Sequence, residues 1–154
     1  MNKKNSPFQW FVRVYYEDTD GGGVVYHPNY LNFMERARTE LLRSKGIGQH
    51  KLKQKEGLIF AVRSASIDFI QPARFDEQLM VVTEISEKSR ISITFNQTVI
   101  KQPMVETQAH DAHDASANST VLCTGMVRVV SLDANTMKHR RMPASLLEEI
   151  VSVG

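Results

Sequence analysis

Hydrophobic and polar residues alternate along much of the second half of the chain. Ile91, Ile93, Phe95 and Val99 alternate with polar residues, which predicts a half-buried β-strand. Similar runs, rich in β-branched and aromatic residues, predict the other strands. The predicted strands cover residues 8–16, 59–70, 79–85, 91–99 and 121–132.

The last predicted strand carries apolar residues on both faces. Its pattern places four of them on the core side: Val121, Cys123, Val127 and Val129. The opposite face carries a further three: Leu122, Met126 and Val130. A second apolar face predicts a second buried surface, most simply an interface between subunits.

A helical spacing of apolar residues occurs between Pro28 and Gly46. Tyr30, Phe33, Met34, Ala37 and Leu41 recur at this spacing, which predicts one long helix with a buried face. Two shorter elements are predicted at residues 49–55 (a polar helix or loop) and 142–151 (a helix). Residues 103–120 are polar and aperiodic, which predicts an exposed excursion between two strands.

The order of these elements is strand, long helix, then consecutive strands. This order favours an α+β fold in which an antiparallel sheet wraps around the helix. The length of 154 residues fits a single domain, 1–154, with no internal linker.

Composition narrows the function classes only slightly. A net charge of +2 argues against a nucleic-acid-binding protein. The single cysteine, Cys123, excludes an internal disulfide framework, and its place in a strand predicts a buried structural thiol. Because residues 1–7 lack a long apolar run and no segment is long enough to span a membrane, we expect a cytoplasmic protein and leave peripheral association with the inner membrane open.

The segment between the first strand and the long helix carries the candidate chemistry. Asp18 and Asp20 are followed by Gly21–Gly23, and the helix is predicted to open at Pro28. A carboxylate near the unpaired N–H groups of a helix N-terminus can act as base or nucleophile while an N–H stabilises an oxyanion, which predicts an acyl-transfer site. Alternatively, the two aspartates only cap turns. No Gly-Lys-Ser/Thr follows the glycines, so a phosphate loop is excluded.

Two motifs in this region resemble a known enzyme family. Residues 16–30 read YEDTDGGGVVYHPNY and residues 34–40 read MERARTE. They resemble the 4-hydroxybenzoyl-CoA thioesterase family of hotdog folds, and most of all its YbgC-type acyl-CoA thioesterases of the Tol–Pal cluster. Weaker similarity continues at residues 68–74 and 137–143, so the resemblance covers about 11–143.

The resemblance implies a hotdog fold with five or six antiparallel strands around a central helix, and hydrolysis of acyl-CoA thioesters. It places the catalytic carboxylate on Asp20 and the polarising backbone N–H on His27; Asp18 remains an alternative nucleophile. It implies no metal and no cofactor, because coenzyme A is part of the substrate. The implied partners are a second copy or a homotetramer, and acyl carrier protein or phospholipid-synthesis enzymes.

Five further residues are candidates for substrate binding. Tyr16 could line the pocket, and Gly23 could let the substrate approach the backbone closely. Glu35 could contact the acyl group, although an ion pair with Arg38 is the simpler expectation. Arg90 and Arg140, with Lys138 and Arg141, could hold the coenzyme A phosphates or form a solvated basic patch.

The sequence also offers a possible metal site and two rival functions. Four residues of the polar excursion have the side chains of metal ligands but no scaffold, which favours a fortuitous cluster: His110, Asp111, His113 and Asp114. A rival function is a non-catalytic module that binds acyl groups or acyl carrier protein, although binding alone needs no base at Asp20. A hotdog dehydratase would need a catalytic histidine paired with an acid, which the motif does not match.

Overall fold

The computed structural model describes residues 7–103 and 120–151. The elements in chain order are β1 (Phe8–Arg13), a 3-10 turn (Tyr16–Asp18), α1 (Asn29–Ser44), α2 (Gln49–Glu56), β2 (Leu58–Phe69), β3 (Gln78–Lys88), β4 (Ser92–Lys101), β5 (Thr120–Asp133) and α3 (Ala144–Val151). Each predicted helix and strand is therefore present, with differences at the ends.

The five strands form one antiparallel sheet in the order β1-β3-β4-β5-β2. The predicted α+β class is confirmed, with five strands. β1 and β2 are the edge strands, and α1 packs against one face of the sheet, contacting β1 and β3. The core is formed by apolar residues of α1 and of the facing sheet surface, among them Phe33, Met34, Val81, Val99 and Cys123.

The predicted central helix α1 begins one residue after Pro28, which was expected to be its first residue, and ends two residues before Gly46. Pro28 occupies the position before its first residue, with φ −65° and ψ −19°, so the chain is already in a helical conformation there. Gly46 follows the helix with φ +82°, a conformation that favours glycine and ends the helix. The buried face matches the predicted periodicity and also includes Arg38.

The first strand is shorter than predicted. β1 ends at Arg13, and the chain then turns through Tyr16–Asp18. Tyr16 therefore lies on an exposed turn and not on a strand, which corrects the prediction for residues 14–16. The aromatic residues in this segment mimic a strand pattern, but Tyr15 and Tyr16 are exposed.

The predicted faces of β5 are wrong at its start because the strand pairing with β4 is irregular. Val99 pairs with Cys123 but Ile100 pairs with Val121, so one residue of β5 bulges out of register. As a result Val121 is 38% exposed, whereas Leu122 is buried in the core. Val130 is also buried within the subunit, and Met126 alone of the three predicted interface residues is exposed.

Two predictions concern residues outside the described ranges. Most of the polar excursion, 104–119, lies there, and so do His110, Asp111, His113 and Asp114. In the described ranges, no group of three or more His, Cys, Asp or Glu side chains is arranged to hold a metal ion. No helix among the same residues has the length and apolar character needed to cross a membrane.

Candidate active site

The acidic turn folds into a tight loop that presents Asp20 to solvent. The Asp20 N–H donates to the Val24 carbonyl at 2.8 Å, and the Gly23 N–H donates back to the Asp20 carbonyl at 3.2 Å. The Asp20 Oδ1 accepts the Gly22 N–H at 2.8 Å, which fixes the side chain on its own loop. The other carboxylate oxygen has no donor among the described residues and is available to a substrate.

Gly23 shapes this loop. Its φ is +80°, a conformation that other residues adopt only with strain. No heavy atom lies within 4 Å of the position that a Cβ would occupy. The open space beside Gly23 fits the predicted close approach of a substrate.

The start of α1 offers a free backbone donor. Asn29 N–H donates to the Tyr26 carbonyl at 2.8 Å and Tyr30 N–H to the His27 carbonyl at 3.4 Å. The His27 N–H, in contrast, has no acceptor within residues 7–103 and 120–151. Together with the partial positive charge of a helix N-terminus, this free donor makes position 27 suited to binding a carbonyl oxygen.

Hydrogen bonds from neighbouring segments hold the loop and the helix start together. The Tyr26 N–H donates to the Asp18 carbonyl at 2.9 Å, and the Val25 N–H donates to the Ala73 carbonyl at 2.8 Å. The Ala73 N–H donates in turn to the Tyr30 hydroxyl at 2.9 Å. Burial is the main cause of a raised pKa at Tyr30, so this phenol stays protonated.

Two aromatic rings lie beside the ring of His27, and a second aromatic pair lies at the acidic turn. The ring of His27 lies 5.1 Å from that of Tyr26 and 5.9 Å, edge-on, from that of Phe69 at the end of β2. Tyr16 stacks on Phe75 with ring centroids 3.9 Å apart. Phe69 was not predicted as a site residue; its only sequence signal is its place in the weakly similar segment 68–74. An exposed aromatic surface thus adjoins the free N–H.

Glu35 does not form the expected ion pair with Arg38. Among the described residues its Oε1 accepts the Thr39 hydroxyl at 3.0 Å, and no carboxylate lies within 4 Å of the Arg38 guanidinium. Burial lowers the pKa of Arg38, and the charge of Glu35 partly opposes that shift. The i,i+3 spacing of Glu35 and Arg38 allows a contact on the helix surface, but Glu35 instead contacts Thr39 at i+4.

A cleft of about 100 Å³ opens between α1 and β2 beside Glu35. Four polar and five apolar residues line it: Glu35, Arg38, Thr39, Leu42, Gln49, Phe60, Val62, Phe95 and Val129. Arg38 is nine residues along α1 from Asn29, about 14 Å at 1.5 Å per residue. The cleft therefore lies along the central helix from the free N–H of His27.

Arg90 and Arg140 are not brought to the Asp20 loop within one chain. The Arg90 guanidinium donates to the Met142 carbonyl at 3.2–3.3 Å. Arg140 donates to the carbonyls of Glu56 and Gly57, at the beginning of β2. Since Phe69 at the other end of β2 contacts His27, the length of the twelve-residue strand, about 35 Å, separates Arg140 from the helix start.

Comparisons with known proteins agree with this architecture. The model of the thioesterase superfamily matches residues 22–108. The acyl-CoA thioester hydrolase YbgC of Escherichia coli O6:H1 is 40% identical over 142 residues, covering 92% of this chain and 94% of its own. A probable thioesterase from Bartonella henselae is 33% identical with a TM-score of 0.72, covering 88% of this chain and 98% of its own.

A more distant structure supports the fold alone. A 4-hydroxybenzoyl-CoA thioesterase mutant complexed with 4-hydroxybenzoyl-CoA has a TM-score of 0.76 at 18% identity, covering 92% of this chain and 96% of its own. The sheet that wraps around α1 is thus the hotdog fold. With the superfamily match and 40% identity across nearly the whole chain, this protein belongs to the thioesterase superfamily and, within it, to the YbgC-type acyl-CoA thioesterases.

Proposed function

We propose that the protein hydrolyses acyl-CoA thioesters to a free acid and coenzyme A, with Asp20 as the catalytic carboxylate and the His27 backbone N–H as the donor to the carbonyl oxygen. The observation that carries the proposal is the free His27 N–H at the start of α1, tethered to the loop that exposes a carboxylate oxygen of Asp20.

The chemistry follows from the charge that develops on the thioester. Attack on the carbonyl carbon moves negative charge to its oxygen, and a fixed N–H donor stabilises that charge by roughly 3 kcal/mol. The Asp20 carboxylate either attacks directly, forming a mixed anhydride that water then cleaves, or removes a proton from an attacking water. Both routes use the carboxylate in its ionised form.

The proposed substrate class is short-chain aliphatic or aromatic acyl-CoA. The aromatic surface of Tyr26 and Phe69 beside His27, and the apolar residues that line the cleft along α1, would contact such groups. In this proposal Glu35 faces the acyl group at the mouth of the cleft, and Tyr16 and Gly23 border the thioester. A panel of acyl-CoAs from acetyl to palmitoyl, with an aromatic member, would define the chain-length preference.

The test of the catalytic carboxylate is Asp20→Asn. An asparagine oxygen can still accept the Gly22 N–H, so the loop should keep its shape while the nucleophile or base is lost. We expect kcat to fall by about a hundredfold or more with KM little changed. Glu17→Gln removes a neighbouring exposed acid of the same turn and should leave kcat within about twofold of the parent.

Near-normal turnover by Asp20→Asn would reject Asp20 as the catalytic residue. Absence of turnover by the parent on every acyl-CoA, with retained binding of acyl carrier protein in a pull-down, would favour the rival carrier-binding module. In a single turnover in ¹⁸O-labelled water, label in the Asp20 carboxylate would identify the anhydride route, because the general-base route places label only in the product acid.

We also propose that the enzyme is a homodimer, or a tetramer of two such dimers, in which the β2 edges of two copies pair. Val62 and Phe69 pair with the buried Val129 and Cys123 of β5, so they belong to the same sheet face as the core, yet they are 55% and 52% exposed. An exposed apolar edge strand favours pairing with a second copy. Antiparallel pairing about a twofold axis would bring Arg140 of the partner subunit towards the helix start, where it could contact the coenzyme A phosphates.

A further inference from the structure

The carboxylate of Asp18 is buried beside the loop that carries Asp20. Asp18 is only 6% exposed. Its Oδ2 accepts the Tyr15 N–H at 2.8 Å, and its Oδ1 accepts the side-chain amide of Asn29 at 2.6 Å. A buried side chain whose two oxygens both have donors is poorly placed to attack a substrate, so the role of Asp18 must differ from that of Asp20.

These bonds connect the acidic turn to the first residue of α1. Asn29 opens the helix, and its own Oδ1 accepts the Asn32 side-chain amide at 2.8 Å. The backbone carbonyl of Asp18 accepts the Tyr26 N–H at 2.9 Å. Residue 18 therefore contacts the chain on both sides of His27, at Tyr26 and at Asn29, and lies two residues before Asp20.

We propose that Asp18 is a positioning residue, whose hydrogen bond to Asn29 fixes the distance between the Asp20 carboxylate and the His27 N–H. This inference rests on the proposed function for its catalytic consequence. Both groups must reach the same carbonyl, and a displacement of about 1 Å in such a pair can lower the rate by about a hundredfold. A charge-assisted bond from the buried Asp18 carboxylate to the half-buried Asn29 side chain is suited to holding that distance.

The first test is Asp18→Asn. The asparagine supplies one acceptor and one NH₂ group, so either Tyr15 N–H or the Asn29 side-chain amide meets a donor instead of an acceptor. We expect kcat to fall by about ten- to a hundredfold and KM to change less than about threefold, measured well below the unfolding temperature. Asn29→Ala removes the helix-side donor, together with the acceptor of the exposed Asn32 amide. It should lower kcat by about tenfold and serves if the first variant is unstable.

The decisive variant exchanges the two side chains, Asp18→Asn together with Asn29→Asp. The new asparagine can accept the Tyr15 N–H and donate its NH₂ to the new carboxylate, which can also accept the Asn32 amide. An acid at the first residue of a helix is also electrostatically favourable. We expect the double variant to recover kcat to within about fivefold of the parent, a coupling that independent effects would not produce.

A readout without turnover checks the geometry itself. The Tyr26 N–H, bonded to the Asp18 carbonyl, should exchange with solvent faster in Asp18→Asn by NMR and return to the parent rate in the exchanged pair. A folded Asp18→Asn with turnover within twofold of the parent would overturn the proposal. Turnover by the double variant that is as slow as turnover by Asp18→Asn would also overturn it, because Asp18 would then act through its own charge. Full activity of Asp20→Asn would instead overturn the proposed function and leave the Tyr26 result standing.

Discussion

Asp18 and Asp20 are the same residue type two positions apart, but their surroundings differ, and the two roles proposed for them follow from that difference. Asp20 keeps one oxygen free on an exposed loop, whereas both oxygens of Asp18 are bonded to donors in a buried position. A nucleophile needs a free lone pair, and a positioning residue needs rigid partners. The same contrast between environments separates acids with distinct roles in other active sites.

The position of Asp18 is also where prediction from the sequence reached its limit. Both aspartates and His27 were recognised from the motif, but the spacing of acids and glycines contains no information on which carboxylate is buried. That depends on the turn at Tyr16–Asp18 and on the Asn29 side chain, which bonds across eleven residues. The positioning role proposed for Asp18 therefore rests on the fold and not on the motif.

Cys123 provides a prediction at the residue scale. Burial, with a smaller effect from the charge of Asp68, raises the pKa of the Cys123 thiol from 9.0 to about 11. The unfolded chain thus releases the thiol proton before the folded chain does. The contribution of this thiol to stability is therefore constant below about pH 9 and decreases as pH rises through 11. We expect this thiol to account for a loss of about 2 to 3 kcal/mol in the free energy of unfolding over that interval.

Urea titrations at pH 8 and pH 11 measure this loss. Cys123→Ala is the matched variant, because it retains every other group that titrates in the interval, including the buried Tyr30. The parent should lose more stability than Cys123→Ala between the two pH values. Equal losses would show that the thiol ionises at its ordinary pKa in the folded protein.

At the scale of elements, α1 is connected to the sheet by a buried polar side chain as well as by apolar packing. The Gln97 side-chain amide of β4 donates to the Met34 carbonyl of α1 at 2.9 Å and to the Thr83 hydroxyl of β3 at 3.0 Å. Its oxygen accepts the Arg38 guanidinium of α1 at 3.0 Å. One side chain of β4 therefore holds the helix in register against two strands.

Replacing Gln97 by leucine should destabilise the protein strongly. The substitution leaves the Arg38 guanidinium and the Thr83 hydroxyl without this partner in a region where Gln97 is 1% exposed. We expect the free energy of unfolding to decrease by about 3 kcal/mol, measured by urea denaturation. Asn96→Ala, at the exposed neighbouring position, should change it by less than about 0.5 kcal/mol. Similar effects of the two variants would exclude a structural role for the Gln97 bonds.

Helices and strands could be predicted from the sequence where one of their faces is buried. They were predicted less well where the register of strand pairing changes. The alternation in residues 91–99 predicted β4, and the helical spacing after Pro28 predicted α1. Both ends of each element were predicted to within two residues. The bulge near Leu122 could not be predicted, because an extra residue in one strand is defined only against its partner strand. Likewise, the aromatic residues after β1 follow the pattern of a strand, but they lie at an exposed turn.

At the scale of the whole molecule, the site is open on the side of β2. From Val62 to Ser66 every residue of this strand is exposed, so α1 covers only part of the sheet face that it packs against. The cleft beside Glu35 and the aromatic residue Phe69 both lie along this uncovered strip. A second copy paired at β2 would close the strip, exclude water from the thioester and strengthen the polar contacts of the site.

Val62→Lys tests this assembly, because a charge at this exposed apolar position would be buried without a partner in the dimer. By light scattering, the parent should have the mass of two 17.5 kDa chains, about 35 kDa, or a multiple of it, and Val62→Lys should have the mass of one chain. Gln9→Lys, on the exposed opposite edge strand β1, should keep the parent mass.

Because Arg140 of the partner subunit and the closure of the strip would both be lost, Val62→Lys should raise KM and lower kcat together, by about tenfold or more in kcat/KM. A monomer with parent kinetics would show that each chain holds a complete site, and monomer formation by Gln9→Lys would place the interface at β1.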